Sequence, residues 1–357
     1  MIALKAIKRS RFKSFLIFLS ITIAVMSIFL ISSISQGVIS MYSSMIQTDG
    51  DIIITQKGIS DTFFSNVDRD LLEKIESIEE VHSTYAMIVG ASPVAQLPIV
   101  GIYGTTKNHF SHYKLQKGSY PQEKEVILGT NISTQAQGEF LKIANKIFKV
   151  SGVFESGIGF EEGGVVMNIE DASELFNKSS SFIIVSATSP NSIEILKDKL
   201  AKLDSQIEVK TTKHFVDEYN QFKIIENSSL LISFLAFVMG LMGVASVMSM
   251  IVTSRKQEFG IMRALGKSRY FIMKNLFLET MLLSLSAYTF ALVLSIAFLE
   301  ILPSIEILQG YVNGTISINI ALYVLISSLI MALIGALLPS WIASKTDPVL
   351  LINQGCS

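Results

Sequence analysis

The sequence predicts an α-helical membrane protein with four transmembrane helices and an α/β extracytoplasmic domain inserted between helices 1 and 2. Composition gives the first indication: 50% of the 357 residues are hydrophobic, 17% are charged and the mean hydropathy is +0.49. Soluble domains average about 25% charged residues. Four apolar segments are also long enough, at about 20 residues, to cross roughly 30 Å of hydrocarbon. They are approximately residues 15–35, 230–252, 276–302 and 318–342.

The first apolar segment is interpreted as a retained anchor. Basic residues precede it, as they do in a signal peptide. Its apolar run is longer than a signal-peptide core of about 7–15 residues, however, and no A-x-A cleavage site follows it. The 14 residues before it mix apolar and basic side chains, which suits a short interfacial helix or a basic flank that orients the span.

The distribution of lysine and arginine predicts the orientation in the membrane. The first 14 residues and the loop 253–275 are rich in both, the tail carries Lys345, and the loop 303–317 carries none. Because basic residues are enriched on the cytoplasmic side, we expect both termini and the loop 253–275 to lie in the cytoplasm. Residues 48–227 hold 25 acidic and 17 basic residues, a net charge of −8, and form a translocated domain too long for this charge rule.

These observations divide the chain into segments with approximate bounds. They are a cytoplasmic interfacial segment (1–14), transmembrane helix 1 with a stalk (15–47), a translocated core domain (48–212), a stalk with transmembrane helix 2 (213–252), a cytoplasmic helix (253–275), transmembrane helix 3 (276–302), transmembrane helix 4 (318–342) and a cytoplasmic tail (343–357).

Alternating apolar residues and helical periodicity predict a mixed α/β domain between the first two spans. The predicted strands are 51–55, 82–90, 97–104, 125–129, 147–154, 164–169 and 181–187. The predicted helices are 68–78, 169–176 and 192–203, and Asp171 is expected to cap the second of them.

No pattern in the sequence predicts an enzyme. His109 and His112 form an H-x-x-H without a third ligand at metal spacing, and we interpret them as part of a solvated surface loop. No G-x-S-x-G nucleophile motif occurs, and Cys356 is the only cysteine, so no internal disulfide forms. Glu279 and Glu300 lie near the ends of the third span, where we expect water to reach them.

The loop 253–275 contains Gly-Lys-Ser, but it does not form a phosphate-binding loop. Such a loop requires G-x-x-x-x-G-K-[ST], whereas five residues separate Gly260 from Gly266, and an apolar span precedes the segment in place of a strand. Apolar and basic residues alternate here with the period of an amphipathic helix that breaks near Gly266. Such a helix suits docking into a groove of another protein, or contact with anionic lipid headgroups.

The same loop resembles a known family. Residues 258–268, EFGIMRALGKS, are similar to the E-x-G-I-x-R-A-L-G-[AK]-[ST] signature of FtsX-like ABC permeases, a superfamily that includes macrolide exporters and lipoprotein-releasing permeases. Residues 339–352, PSWIASKTDPVLLI, resemble its closing P-x-x-x-A-x-x-x-x-P pattern, and residues 125–176 resemble its periplasmic core domain.

The resemblance implies a dimeric permease, built from two copies or from a copy and a paralogue, that pairs with a cytoplasmic ABC ATPase. ATP and magnesium would bind to that partner, and this chain would hold no cofactor and bind no nucleic acid. The helix after the second span would be the coupling helix that receives force from the ATPase. Carried over from the signature, its contact residues would be Glu258, Gly260, Arg263, Ala264, Leu265 and Gly266.

The glycine-rich segment 156–164, SGIGFEEGG, has two interpretations. Its composition favours a flexible hairpin. Alternatively, Phe160 projects from a mobile loop toward a periplasmic adaptor or carrier protein, with Gly157, Gly159 and Gly163 supplying the mobility. This segment and the following NIEDASELF resemble lipoprotein-releasing permeases, whereas RALG and the SQGVIS after the first span fit macrolide exporters better.

The resemblance therefore predicts a non-catalytic subunit in a bacterial inner membrane that couples ATP hydrolysis by a separate ATPase to transport. The transport would extrude or extract an amphiphilic cargo, such as a drug, a peptide or a lipoprotein, at the periplasmic side. The alternative is a signalling mechanotransmitter that activates an envelope hydrolase without moving cargo. A ligand-sensing receptor is a third class, but it leaves the three later spans without a purpose.

Overall fold

The computed structural model describes residues 11–48, 50–59, 61–133, 138–305 and 314–345. Within these ranges the chain forms two compact units. The helical unit comprises residues 11–35, 227–300 and 314–345, and the α/β unit comprises residues 36–226 and 301–305. Most of the predicted interfacial segment, most of the predicted tail, and Cys356 lie outside the described residues.

The helices of the described chain are α1 (Arg11–Gln47), α2 (Leu71–Glu76), α3 (Thr130–Ser133), α4 (Gly159–Glu162), α5 (Ile169–Phe176), α6 (Ile193–Leu200), α7 (Thr212–Glu218), α8 (Asn220–Ser254), α9 (Lys256–Ala264), α10 (Arg269–Ile301) and α11 (Ile318–Lys345). The strands are β1 (Ile52–Gln56), β2 (Val81–Val94), β3 (Leu97–Thr105), β4 (Lys114–Gly118), β5 (Glu125–Gly129), β6 (Phe140–Ile143), β7 (Lys146–Glu155), β8 (Val165–Asn168), β9 (Phe182–Ala187) and β10 (Ile207–Thr211).

Four of these helices, α1, α8, α10 and α11, are long and apolar enough to cross a membrane. The α/β domain follows the first of them and precedes the second. The predicted fold class is therefore confirmed.

Small residues and buried hydroxyl groups hold the helices of the helical unit together. A Cβ atom on Gly240 of α8 would lie 2.6 Å from the Cβ of Ala24 in α1 and 2.5 Å from the Sδ of Met331 in α11, so only glycine allows this approach. Between α10 and α11, the Ser284 hydroxyl donates to the carbonyl of Ser328 at 3.0 Å. Close backbone packing and interhelical hydrogen bonds are the usual contacts of transmembrane helices, because lipid removes the hydrophobic drive for association.

The α/β unit is built on one mixed sheet. Its strand order is β10-β1-β9-β2-β3-β8-β5-β7-β4, and β6 pairs with β2 and β7. The pairs β3–β8 and β5–β7 are parallel, and the other pairs are antiparallel.

Both faces of this sheet are buried, which explains its runs of consecutive apolar residues. In β1, Ile52 and Ile54 enter one hydrophobic cluster together with helices α2, α5 and α6, whereas Ile53 enters a second cluster on the opposite face. Successive side chains of a strand point to opposite faces, so two cores require apolar residues at every position.

The structure adds three strands that sequence analysis missed, β4, β6 and β10, and it extends β2 to Val94. The missed strands have five residues or fewer, and none is fully buried. β4 (KLQKG) and β10 (IEVKT) lie at the two ends of the strand order and carry charges that discourage further pairing, which weakens their apolar signal.

Asp171 does not cap α5, contrary to the prediction. The N-cap position belongs to Asn168, and Asp171 lies in the first helical turn with 7% of its surface exposed. Its Oδ2 accepts a hydrogen bond of 2.8 Å from the backbone N–H of Lys124. Burial, together with the nearby charges of Glu123 and Glu174, raises the pKa of Asp171 although this hydrogen bond opposes the shift.

Gly104 sets the distance between β3 and α5. A Cβ atom at Gly104 would overlap the Cβ of Ala172. We predict that Gly104→Ala destabilises the full chain by about 1–3 kcal/mol through overpacking. Adding Ala172→Gly should recover part of this loss, although glycine within a helix costs about 1 kcal/mol by itself. Thermal melting of both single variants and the double variant in detergent measures the coupling, and strictly additive losses would contradict it.

Asp171 should also affect the pH dependence of stability. The pKa of Asp171 is higher in the folded chain than in the unfolded chain. Its favourable contribution to the free energy of unfolding is therefore complete at pH values below the unfolded pKa of about 4, and it is lost as the pH rises through the folded pKa. We therefore expect Asp171→Asn, which keeps an acceptor for Lys124, to gain thermal stability relative to the wild type at pH 7 but not at pH 4. Asp198→Asn, on the exposed surface of α6, is the control. An equal gain at both pH values would refute the assignment.

Candidate functional site

The Gly-Lys-Ser of the cytoplasmic loop joins two helices. The N–H of Gly266 donates to the carbonyl of Arg263, and the N–H of Lys267 donates to that of Met262, both at 3.0 Å. Together with the left-handed φ of +84° at Gly266, these bonds form the Schellman motif that ends α9. The Ser268 hydroxyl then accepts the N–H of Phe271 at 3.2 Å and caps α10. The predicted helix break at Gly266 is therefore confirmed.

Helix α9 has one face packed in the helical unit and another face exposed. Phe259 is 4% exposed and belongs to the core of this unit, and Gly260 beside it is also buried. On the other side, Ile261 is 54% exposed and Leu265 is 76% exposed. Tyr270, in the first turn of α10, is 73% exposed. We call Ile261, Leu265 and Tyr270 the apolar patch.

The six residues carried over from the family signature occupy different environments. Ala264, Leu265 and Gly266 are exposed, Glu258 and Arg263 are partly buried, and Gly260 is buried. The exposed members are accessible to a partner, whereas Gly260 is not. Their role in contact with an ATPase stays a prediction.

Arg255, which sequence analysis did not single out, connects α9 with α10. It occupies the position between α8 and α9, and its Nε donates to Oε2 of Glu258 at 3.3 Å. Its Nη1 donates to Oε2 of Glu279 at 3.2 Å. The spacing of three residues along a helix could have indicated the first contact. No sequence signal indicates the second, because Glu279 is 24 residues away.

The sequence predicts that water reaches Glu279, but the structure shows that this residue is buried. This residue is only 2% exposed and contacts Arg255, and it lies almost three turns inside α10, which begins at Arg269. Glu300, at the other end of α10, is exposed, and its contact with water stays a prediction.

The glycine-rich segment of the α/β unit is held in a defined conformation. Oε1 of Glu162 accepts the N–H of Gly157 at 2.8 Å and that of Ser156 at 3.3 Å, which closes the turn before α4. The Tyr103 hydroxyl donates to the carbonyl of Phe160 at 3.1 Å. The predicted flexible hairpin is thus replaced by a short helix with side-chain anchors.

The four residues proposed as a partner loop differ in exposure. Gly157 is exposed with a left-handed φ of +77°, Gly159 and Phe160 are half-buried, and Gly163 is buried. Phe160 therefore does not project freely into solvent. Whether this surface meets a carrier protein stays a prediction.

The histidine pair does not lie in a solvated loop, which corrects the sequence interpretation. His109 is 6% exposed, and its ring stacks on Tyr85 with 3.7 Å between centroids. His112 Nε2 lies 3.0 Å from Oε2 of Glu161, which is 1% exposed. This contact pins α4 against the turn of residues 107–112. Among the described residues, no group of three or more His, Cys, Asp or Glu side chains is arranged to hold a metal ion.

Comparison with known protein families identifies two domains in the chain. Residues 14–203 match the MacB-like periplasmic core domain, and residues 230–348 match the FtsX-like permease C-terminal domain. The first match alone covers more than half of the 357 residues. The second includes α9 and the residues of the signature.

Three curated relatives show similarity at low identity. An ABC transporter permease of Methanocaldococcus jannaschii is 25% identical over 229 residues, covering 59% of this chain and 56% of the relative. The lipoprotein-releasing system transmembrane protein LolC of Buchnera aphidicola is 22% identical, covering 79% of this chain and 78% of LolC. The macrolide export ATP-binding/permease protein MacB of Wolinella succinogenes is 23% identical, covering 79% of this chain but only 50% of MacB. This chain thus spans about half the length of two of these relatives.

Among solved structures, the periplasmic region of MacB from Actinobacillus actinomycetemcomitans is similar at 12% identity and a TM-score of 0.39, covering 48% of this chain and 92% of that region.

The anchoring of the glycine-rich segment gives a test of its order. We predict that Glu162→Ala, which removes the acceptor for the N–H groups of Ser156 and Gly157, raises amide hydrogen exchange across residues 156–163 by about tenfold or more, because each lost hydrogen bond contributes about 1 kcal/mol. Hydrogen exchange with mass spectrometry on the full chain measures the effect, with the exposed Glu139→Ala as the control. Unchanged exchange in Glu162→Ala would show that these bonds do not order the segment.

Proposed function

Because the chain belongs to the ABC transporter permeases with a MacB-like periplasmic core domain and an FtsX-like C-terminal domain, we propose that α9 is its coupling helix and docks on a cytoplasmic ABC ATPase. The apolar patch supports this most directly. Leucine and isoleucine side chains that protrude beside Lys267 and Arg269 have no packing role within the helical unit. Exposed apolar side chains surrounded by polar ones are typical of protein–protein contacts.

The ATPase in this proposal lies outside the 357 residues. The sequence has no G-x-x-x-x-G-K-[ST] motif, and its Gly-Lys-Ser forms a helix junction without the cradle of backbone N–H groups that binds phosphate. We propose that the partner binds ATP and magnesium and that this chain performs no catalysis. The ATP-binding/permease name of the MacB relative supports a pairing of the two activities.

The proposed mechanism is the transfer of motion from the ATPase to the membrane helices. Helix α9 is joined to α8 through the single residue Arg255 and to α10 through the four residues 265–268. Junctions this short leave little slack, so a displacement of α9 by closing ATPase domains moves the ends of both spans. A dimer of two such permeases, with two ATPases, would move its periplasmic domains in response.

We propose that this motion extrudes or extracts an amphiphilic cargo at the outer side of a bacterial inner membrane. The functions named for two of the relatives, macrolide export and lipoprotein release, support an amphiphilic molecule as the cargo. The basic residues of the loop 253–275 and of the first 14 positions support cytoplasmic termini. A periplasmic adaptor or carrier protein would then receive the cargo.

The apolar patch gives the decisive test. We predict that the double variant Ile261→Asp with Leu265→Asp lowers the amount of ATPase recovered with the tagged permease by at least about tenfold, since each change removes roughly 2 kcal/mol of apolar burial. Purification from native membranes, followed by quantitative mass spectrometry, measures the recovery, and transport is measured with the same variant.

The matched control for this experiment is Ile195→Asp. Ile195 on α6 is 55% exposed, almost the same as Ile261, but it belongs to the α/β unit. The proposal fails if wild-type permease recovers no ATPase, or if the double variant keeps both the ATPase and transport. Recovery of an envelope hydrolase with wild-type permease that moves no cargo would instead support the signalling alternative.

A further inference from the structure

We propose that Arg255 and Glu279 are positioning residues that fasten the coupling helix to the third span, so that a displacement of α9 is passed to α10. We call Arg255, Glu258 and Glu279 the Arg255 clamp. The inference rests on the proposed function of α9 and deepens it by naming the contact through which the motion passes.

The clamp joins three consecutive helices at one side chain. Arg255 follows the last residue of α8, and its φ of −111° and ψ of 14° mark the interruption between α8 and α9. One nitrogen of its guanidinium group contacts Glu258 in the first turn of α9, and another contacts Glu279 in α10. The guanidinium carbon also lies 5.5 Å from the centre of the Phe259 ring, a cation–π distance. Arg255 is thus positioned to move with α9 and to pull on α10.

Burial gives the contact with Glu279 its strength. The side chain of Glu279 is 3% exposed and that of Arg255 is 16% exposed, so water screens this ion pair far less than a pair at the surface. A carboxylate inside a span is strongly disfavoured without a partner. Separation of α9 from α10 would leave Glu279 in that state, and the two helices are therefore expected to move together.

Glu279 also has an acceptor that the clamp does not use. Among the described residues, its Oε1 is buried and has no hydrogen-bond partner. Arginine is able to hold both oxygens of a carboxylate with two parallel N–H groups. If Glu258 turns toward the ATPase, Arg255 has a second oxygen on Glu279 to bind, and the link between α9 and α10 persists through the movement.

This arrangement requires arginine. Lysine keeps the positive charge but presents a single ammonium group, without the planar set of N–H donors that contacts two carboxylates at once. The substitution Arg255→Lys therefore keeps the charge of the clamp and removes its hydrogen-bond geometry.

The test uses the full permease with its ATPase, reconstituted in lipid nanodiscs. A fluorescent label is attached to Val293→Cys on α10, which is 64% exposed, in a Cys356→Ser background. ATPase recovery reports on docking, and the change in fluorescence on addition of ATP and vanadate reports on the movement of α10. No cargo is needed.

For Glu279→Gln and Arg255→Lys, we expect ATPase recovery to stay within about twofold of wild type while the fluorescence change falls by about fivefold or more, the lower range of typical coupling effects. The double variant Arg255→Gln with Glu279→Gln should lose no more than Arg255→Gln alone, because Arg255→Gln already breaks the contact with Glu279. Glu300→Gln, an exposed carboxylate on the same helix, is the matched control and should resemble wild type.

The outcomes separate the clamp from the proposed function. If Glu279→Gln and Arg255→Lys keep the full fluorescence change, the clamp does not transmit the movement and the inference is wrong. If every clamp variant loses folding and ATPase recovery together, including the double variant without a buried charge, the residues are structural and the inference is again wrong. If wild type itself recovers no ATPase, the proposed function of α9 has failed instead.

Discussion

The exclusion of charge from membrane hydrocarbon determines where the functional residues of this protein lie. The helices α1, α8, α10 and α11 consist almost entirely of apolar and small residues over their spans, so the basic residues of the helical unit collect at the helix ends and in the loop 253–275. That loop must therefore hold itself against the apolar spans and, in the proposed function, also present a surface to the ATPase. Helix α9 meets both demands by burying Phe259 while exposing Ile261 and Leu265.

Among the described residues, Glu279 is a buried departure from this rule. A carboxylate almost three turns inside α10 has a high energetic cost, and the structure offsets it with Arg255, the first basic residue after α8. Because Glu279 is costly when it is unpaired, α9 is favoured in the one position that brings Arg255 to it. The apolar packing of Phe259 has no such directional requirement. Apolar packing thus stabilises the contact between the helices, and the ion pair defines the position of α9 along α10.

Local patterns allowed much of the fold to be predicted. The strand β5 and the helix α5 were placed at their observed bounds because each is a short apolar or amphipathic run between clear turn residues. Pairs that are distant in sequence could not be predicted, since Glu279 and Arg255 are brought together only by the packing of three helices. The same holds for His112 and Glu161: the sequence around His112 indicated a solvated loop, and only the folded α/β unit brings the two side chains together in a buried contact.

The Gly-Lys-Ser segment shows that the same residues form different structures in different surroundings. In a phosphate-binding loop, glycine frees the backbone to present N–H groups to an anion. Here, the left-handed Gly266 turns those N–H groups back onto the carbonyls of Arg263 and Met262, so they are already bonded and offer nothing to a phosphate. The result is a tight corner between α9 and α10. This corner suits the proposed coupling role, because a flexible linker would absorb a displacement of α9 before it reached the span.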